Sequence, residues 1–228
     1  LQVDRAADNV NFELVTSEPS PFTRQAYRMA MTGGARTRLT TGDGGHAPVV
    51  SPADVSVMAT VYSTPNTPPE LFLARAGQAQ MAQLTTSTTA EFRSYAWKVP
   101  PIVMLDGEDG TKVPARLYDP KAFGKASNGA AVIFVHGAGY LHNVHNWWST
   151  YSREYMFHHL LAERGYAVLD IDYRGSAGYG RDWRTAIYRW MGGKDLDDQV
   201  SGSKYLTSQF GIQPERIGLY GGSYGGFM

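Results

Sequence analysis

The segment Gly221-Gly222-Ser223-Tyr224-Gly225-Gly226 carries the spacing G-x-S-x-G. A serine hydroxyl holds its proton near neutral pH and attacks a carbonyl well only when a base takes that proton. On a tight turn between a strand and a helix the hydroxyl is pushed above a sheet, where a base can reach it. Strand and helix approach closely at such a turn, so glycine at the flanking positions has a steric reason. Ser223 is the candidate nucleophile. The backbone N–H of Tyr224, the next residue, is a candidate donor to the alkoxide of a tetrahedral intermediate.

A second donor is needed, and His136-Gly137-Ala138-Gly139 resembles the H-G-G-G loop that supplies one in lipases and esterases. A histidine base and an orienting carboxylate complete such chemistry. All six histidines (His46, His136, His142, His145, His158 and His159) precede Ser223. On this fold the triad runs Ser, then Asp or Glu, then His, so base and acid are expected beyond Met228. His142 and His145, with Asn143 and Asn146, lack the further ligand that a metal site needs. No metal and no cofactor is expected.

The elements around these residues follow two periods. Tyr27-Arg28-Met29-Ala30, Gly33-Gly34 and Arg38-Leu39-Thr40-Thr41 return as Leu71-Phe72-Leu73-Ala74, Gly77-Gln78 and Gln83-Leu84-Thr85-Thr86. His46 to Val50 and Val55 to Tyr62 read as two strands around the turn Ser51-Pro52-Ala53-Asp54. Four short strands in a period near 45 residues match a β-propeller blade; the alternative is a β-sandwich with chance similarity. One or two blades do not close a ring, so further blades are expected before Leu1. From about residue 99 the pattern becomes strand (Ala130 to Val135), helix (Ser149 to Arg164, ended by Gly165), strand (Tyr166 to Ile171), helix (Asp195 to Phe210, ended by Gly211) and strand (Arg216 to Tyr220). Asp195 is the expected N-cap of the second helix, with Leu196, Val200, Tyr205 and Leu206 on its packed side. That alternation implies a mainly parallel sheet with right-handed crossovers. The expected organisation is residues 1–98 as the last blades of a β-propeller and residues 99–228 as the first part of an α/β-hydrolase domain.

Composition permits a buried core: 43% of the 228 residues are hydrophobic and 12% aromatic. Lys plus Arg equals Asp plus Glu at 21 each, which gives no electrostatic reason to expect nucleic acid or an anionic membrane as partner. No cysteine is present, which excludes disulfides and thiolate metal sites. No apolar run is long enough to span a membrane. The N-terminal Leu1-Gln2-Val3-Asp4 reads as neither start nor signal peptide, so the chain is expected to be an internal piece of a longer protein.

At these motifs the chain resembles the prolyl oligopeptidase family of serine peptidases, and its dipeptidyl-peptidase IV branch in particular. The resemblance rests on the blade-like repeat ending near Lys98, Val135-His136-Gly137-Ala138-Gly139, Asp172-Tyr173-Arg174-Gly175-Ser176, Gly192-Gly193-Lys194-Asp195 with Asp198-Gln199, and Gly221 to Gly226. It implies a propeller that screens substrates by size, a catalytic α/β-hydrolase domain, and peptide substrates often cut after proline or alanine. Ser223 matches the family nucleophile and Tyr224 the residue after it. Members like dipeptidyl-peptidase IV often carry a tyrosine where this chain has His136. Here the His136 imidazole, the Gly137 amide or Tyr140 would have to act as second oxyanion donor. A homodimer of the longer protein is compatible with the resemblance, and a secreted or periplasmic location suits a peptide scavenger better than a cytoplasmic one. Two other readings stand beside it: a carboxylesterase or lipase, and a non-catalytic propeller module with a degenerate hydrolase domain.

Overall fold

A computed structural model of the chain describes residues 2–4, 11–16, 18–137 and 140–228. Ala138 and Gly139 of the glycine loop lie outside the described residues. The chain divides into two compact units, residues 1–96 with 145–148, and residues 97–144 with 149–228. Thus the short stretch 145–148, expected in the second half, belongs with the first. It is tied there by hydrogen bonds from the Asn146 N–H to the Phe22 carbonyl, 2.8 Å, and from the Trp148 N–H to Ser63 Oγ, 3.2 Å.

The first unit holds two four-stranded antiparallel sheets, each built from strands consecutive in sequence. One contains β1 (Gln2–Asp4), β2 (Asn11–Thr16), β3 (Gln25–Ala30) and β4 (Thr37–Arg38), in that order. The other contains β5 (Gly45–Val50), β6 (Val57–Thr64), β7 (Thr67–Arg75) and β8 (Met81–Gln83). The repeat in the sequence therefore places β3 against β7 and β4 against β8 as equivalent strands. Ala26, Leu39, Val50, Met58 and Ala74 form the buried apolar cluster of this unit. A one-turn helix, α1 (Ala90–Ser94), follows, capped by the Thr89 side chain.

The second unit is built on one five-stranded sheet in the order β13-β11-β12-β10-β9. β11 (Ala131–Val135), β12 (Ala167–Ile171) and β13 (Ile217–Gly221) are parallel. β9 (Ile102–Asp106) and β10 (Lys112–Tyr118) form an antiparallel hairpin whose second strand also runs antiparallel to β12. The sheet is therefore mixed, with the expected parallel strands at one side. The hairpin turns at Gly107-Glu108-Asp109-Gly110, where Gly110 takes a φ of 81° that favours glycine. Ile133, Val135, Leu169, Ile171 and Leu206 lie at its core.

Helix α2 (Ser152–Glu163) starts three residues later than its pattern suggests and buries Tyr155, His158, His159 and Ala162, while Met156 and Leu160 face outward. The short α3 (Arg181–Arg184) precedes α4 (Lys194–Phe210). Asp195 does not cap α4. It lies inside the first turn, with Gly193 at the cap position. The packed side of α4 is also other than expected: Leu196 and Val200 are 39% and 40% exposed, whereas Asp195, Asp198, Gln199, Ser201, Gly202 and Leu206 are buried. Two contacts explain this. A Cβ on Gly202 would come within 2.6 Å of Ile171 Cδ1, so glycine lets the helix backbone press onto β12. Asp198 is drawn inward by the Arg174 guanidinium, with Nη2 2.8 Å from Oδ1. A four-residue helix, α5 (Tyr224–Phe227), follows β13. Among the described residues no helix is long and apolar enough to cross a membrane.

Candidate active site

The register of the parallel strands sets the site. Val135 at the end of β11 pairs with Gly221 at the end of β13, so the turns that leave the two strands emerge side by side. His136-Gly137 is thereby brought next to Gly222-Ser223.

Ser223 stands between β13 and α5 with φ 56° and ψ −118°, a left-handed backbone that non-glycine residues rarely adopt. Such a conformation costs on the order of 1–3 kcal/mol and persists only where its surroundings hold it. Those surroundings are tight. A Cβ on Gly221 would lie 2.4 Å from the Val135 carbonyl oxygen and one on Gly225 2.0 Å from it. Side chains at either position would drive α5 off the sheet. The turn is closed by N–H donation from Gly225 to the Gly222 carbonyl, 2.9 Å, and from Gly226 to the Ser223 carbonyl, 2.9 Å.

Tyr224 is fixed through its side chain. Its hydroxyl donates a short hydrogen bond to Asp195 Oδ2, which also accepts the Gly192 N–H at 3.1 Å. Burial and the Asp195 carboxylate push the Tyr224 hydroxyl well above the usual tyrosine range, so it keeps its proton and goes on donating. The Tyr224 ring stacks on Tyr173, centroids 6.0 Å apart and planes 14° apart. Tyr173 in turn stacks on His136 at 4.4 Å, and its hydroxyl donates to the His136 carbonyl, 2.7 Å. Thus the turn after β11 and the turn after β13 are connected through two aromatic rings.

The His136 imidazole is turned inward and is not a free oxyanion donor. It is fully buried, with Nε2 2.9 Å from Ser176 Oγ and 3.3 Å from Asp172 Oδ1, and Nδ1 3.0 Å from the Gly137 carbonyl. Burial opposes its charge, but the hydrogen bond and negative charge of Asp172 prevail and raise its pKa. Burial acts on Asp172 in the opposite direction, and the contact with His136 holds its carboxyl below the usual range. Asp172 also accepts the backbone N–H groups of Asn143, 2.9 Å, and Val144, 2.9 Å. The pair anchors the loop that follows His136.

The Gly137 amide is also engaged, donating to the Tyr151 hydroxyl at 2.7 Å. Tyr140 is 55% exposed, with the Arg184 guanidinium 5.1 Å above its ring. His158 and His159 are packed residues: His158 Nε2 lies 2.5 Å from the Tyr220 hydroxyl and His159 Nδ1 2.8 Å from the Tyr155 carbonyl. Sequence reasoning brings Ser223, Tyr224, His136 and Gly137 to one place. It gives no signal for Tyr151, which reads as an ordinary residue before a helix, or for Asp195, which reads as a cap.

Residues 148–228 match the model of the prolyl oligopeptidase family. The chain is 33% identical over 180 residues to a Bacillus subtilis protein described as an uncharacterized peptidase, covering 78% of this chain and 26% of that one. It is 28% identical to human dipeptidyl peptidase 8, covering 100% of this chain and 26% of the relative. Among solved structures, Porphyromonas gingivalis dipeptidyl peptidase 4 superposes with a TM-score of 0.78 at 22% identity, over 100% of this chain and 32% of that one. Acylaminoacyl peptidase of Pyrococcus horikoshii does so with a TM-score of 0.70 at 20% identity, over 97% and 32%. These two share the fold. The chain spans about a quarter to a third of the length of the proteins it matches. With the strand–Ser223–helix turn inside the matched segment, the chain belongs to the prolyl oligopeptidase family.

Proposed function

We propose that this chain is the segment of a serine peptidase that carries its nucleophile. Ser223 attacks the carbonyl of a short peptide, preferentially after proline or alanine, and forms an acyl-enzyme. The observation that carries the reading is the Ser223 backbone at φ 56° on the turn between β13 and α5, with Gly221 and Gly225 packed against the Val135 carbonyl. A conformation of that cost is held where the hydroxyl must project. As Oγ bonds to the carbonyl carbon, the carbonyl electron pair moves to oxygen and the Tyr224 N–H stabilises the resulting alkoxide. The serine proton goes to an imidazole base oriented by a carboxylate, both supplied by sequence after Met228. The unit of residues 1–96 with 145–148 forms the last two blades of a propeller, and the unit of residues 97–144 with 149–228 the start of the peptidase domain. The two repeated four-stranded sheets support a peptidase rather than a carboxylesterase, whose site is usually covered by helices.

The test is labelling of the full-length protein with a fluorophosphonate probe. Wild-type protein should label and Ser223→Ala should not. Undiminished labelling of the alanine variant would place the nucleophile elsewhere.

A further inference from the structure

The second donor to the alkoxide is open once His136 is seen to be turned inward. Among the described residues, the Tyr151 hydroxyl lies close to the turn that presents Ser223. A Cβ built on Gly137 would lie 3.0 Å from the Tyr151 hydroxyl oxygen, 3.1 Å from the Gly222 carbonyl and 3.4 Å from Ser223 Cβ. The Tyr151 hydroxyl, the turn that presents Ser223, and Gly137 therefore surround one point. Glycine at 137 is what leaves that point open.

We propose that Tyr151 is a catalytic residue whose hydroxyl donates to the oxyanion, with the Gly137 amide acting behind it rather than directly. The inference rests on the reading of Ser223 as nucleophile. An amide N–H has one hydrogen, and that of Gly137 is given to Tyr151 Oη at 2.7 Å. Accepting that bond occupies a lone pair of the hydroxyl and leaves its own hydrogen to point away from Gly137. A hydroxyl that accepts from one donor becomes a stronger donor itself. As Ser223 Oγ bonds to the substrate carbon and its proton passes to the base, the electron pair arriving on the carbonyl oxygen is met by the Tyr151 O–H and the Tyr224 N–H. No proton leaves Tyr151 in this step.

Preorganisation is what makes such a donor effective, since it then needs no reorientation as charge develops. Tyr151 is held at several points. Its ring meets Phe134 edge-on at 5.2 Å. Its backbone N–H donates to Ser149 Oγ, 2.9 Å, and Ser149 donates to Asn143 Oδ1, 2.5 Å. Asn143 is itself fixed by Asp170 and Asp172. Burial raises the Tyr151 pKa against the opposing effect of the Gly137 N–H, so the hydroxyl remains protonated at neutral pH. The buried polar cluster of Asn143, Asp170 and Asp172 thus acquires a purpose: it aims Tyr151.

The experiment compares the full-length protein with its Tyr151→Phe variant, which keeps the ring against Phe134. We expect kcat for a chromogenic peptide to fall about 100- to 1000-fold with KM within about threefold. Affinity for a peptidyl boronic acid, whose adduct oxygen stands in for the oxyanion, should weaken by a similar factor. A melting temperature near that of wild type shows that the fold survives. Unchanged or faster turnover by Tyr151→Phe would mean that the freed Gly137 N–H binds the oxyanion directly, and would overturn the assignment while leaving Ser223 in place. A wild-type protein that neither turns over nor labels at Ser223 would overturn the parent reading as well. Independently of the variant, a crystal structure of the wild-type boronate adduct should place Tyr151 Oη about 2.7 Å from the adduct oxygen. Gly137 N in that position would refute the proposal.

Discussion

At Ser223 a single residue concentrates the backbone cost of the site, and its neighbours show how that cost is contained. The glycines of the turn are not equivalent. Gly221 and Gly225 face the Val135 carbonyl at distances no Cβ tolerates, whereas a Cβ on Gly222 would meet nothing within 4 Å. Gly225→Ala should therefore destabilise the second unit by at least about 3 kcal/mol and remove probe labelling, because backbone and not a flexible side chain obstructs it. Gly222→Ala should cost no more than about 1 kcal/mol. Urea unfolding of the two variants beside wild type decides this; equal effects would show that the turn yields freely. The G-x-S-x-G spacing was legible because every residue that makes this turn is local in sequence. Tyr151 was not, because it meets Gly137 only across a loop of 14 residues, and no local pattern marks that partner.

Among the elements, α4 best shows where periodicity misleads. An apolar stripe through Leu196 and Val200 suggests the packed side, but those residues are partly exposed and the helix sits on Asp198, Gly202 and Leu206. Burying the Asp198 carboxylate is costly unless it is paired, and Arg174 from the loop after β12 donates to it through Nε and Nη2 while its Nη1 donates to Asp109. The pairing of Arg174 with Asp198 joins residues 24 apart in sequence, which no helical pattern reveals. Asp198→Ala should destabilise the second unit by about 3–5 kcal/mol, since it leaves the Arg174 guanidinium buried without its inner partner. The midpoint of urea unfolding reads this directly, and a loss below about 1 kcal/mol would show that Asp109 alone satisfies the arginine. By contrast β11 and β12 are legible as buried strands because continuous β-branched and apolar runs have few other uses, whereas β13 leaves Gly218 and Leu219 exposed. The hairpin β9–β10 escapes because Lys112, Pro114 and Arg116 interrupt the apolar pattern of β10.

In the whole molecule, the chain divides between residues 96 and 97, and residues 145–148 return to the first unit. In the first unit the contribution of His46, which is 1% exposed, changes between neutral and mildly acidic pH. Burial lowers its pKa to about 4, against the pull of the Thr41 carbonyl and together with the positive charge of Arg38. With a folded pKa below the unfolded value, the unfolded chain binds the extra proton. Stability is then complete above about pH 6.5 and declines as pH falls toward 4. The expected loss is about 2 kcal/mol between pH 7 and pH 5. His136 shifts the other way but is present in any His46 variant, so a comparison cancels it. In His46→Gln the difference in unfolding free energy between pH 7 and pH 5 should shrink by that amount, and an unaltered difference would mean that the ring is hydrated in the native state.

The return of residues 145–148 also bears on how the chain is assembled as it leaves the ribosome. The sheets of the first unit pair strands that are neighbours in sequence, so only short loops need closing and little chain entropy is lost before contacts form. The second sheet must instead hold β10 until β12 arrives, and β11 until β13 arrives. Early sheets and a late one suit synthesis from the N-terminus. Yet the bonds from Asn146 to Phe22 and from Trp148 to Ser63 cannot form until the first stretch of the second unit, residues 97–144, has been made. The first unit is thus begun first and finished in the middle of its neighbour, which makes the two units one kinetic problem even though each has a core of its own.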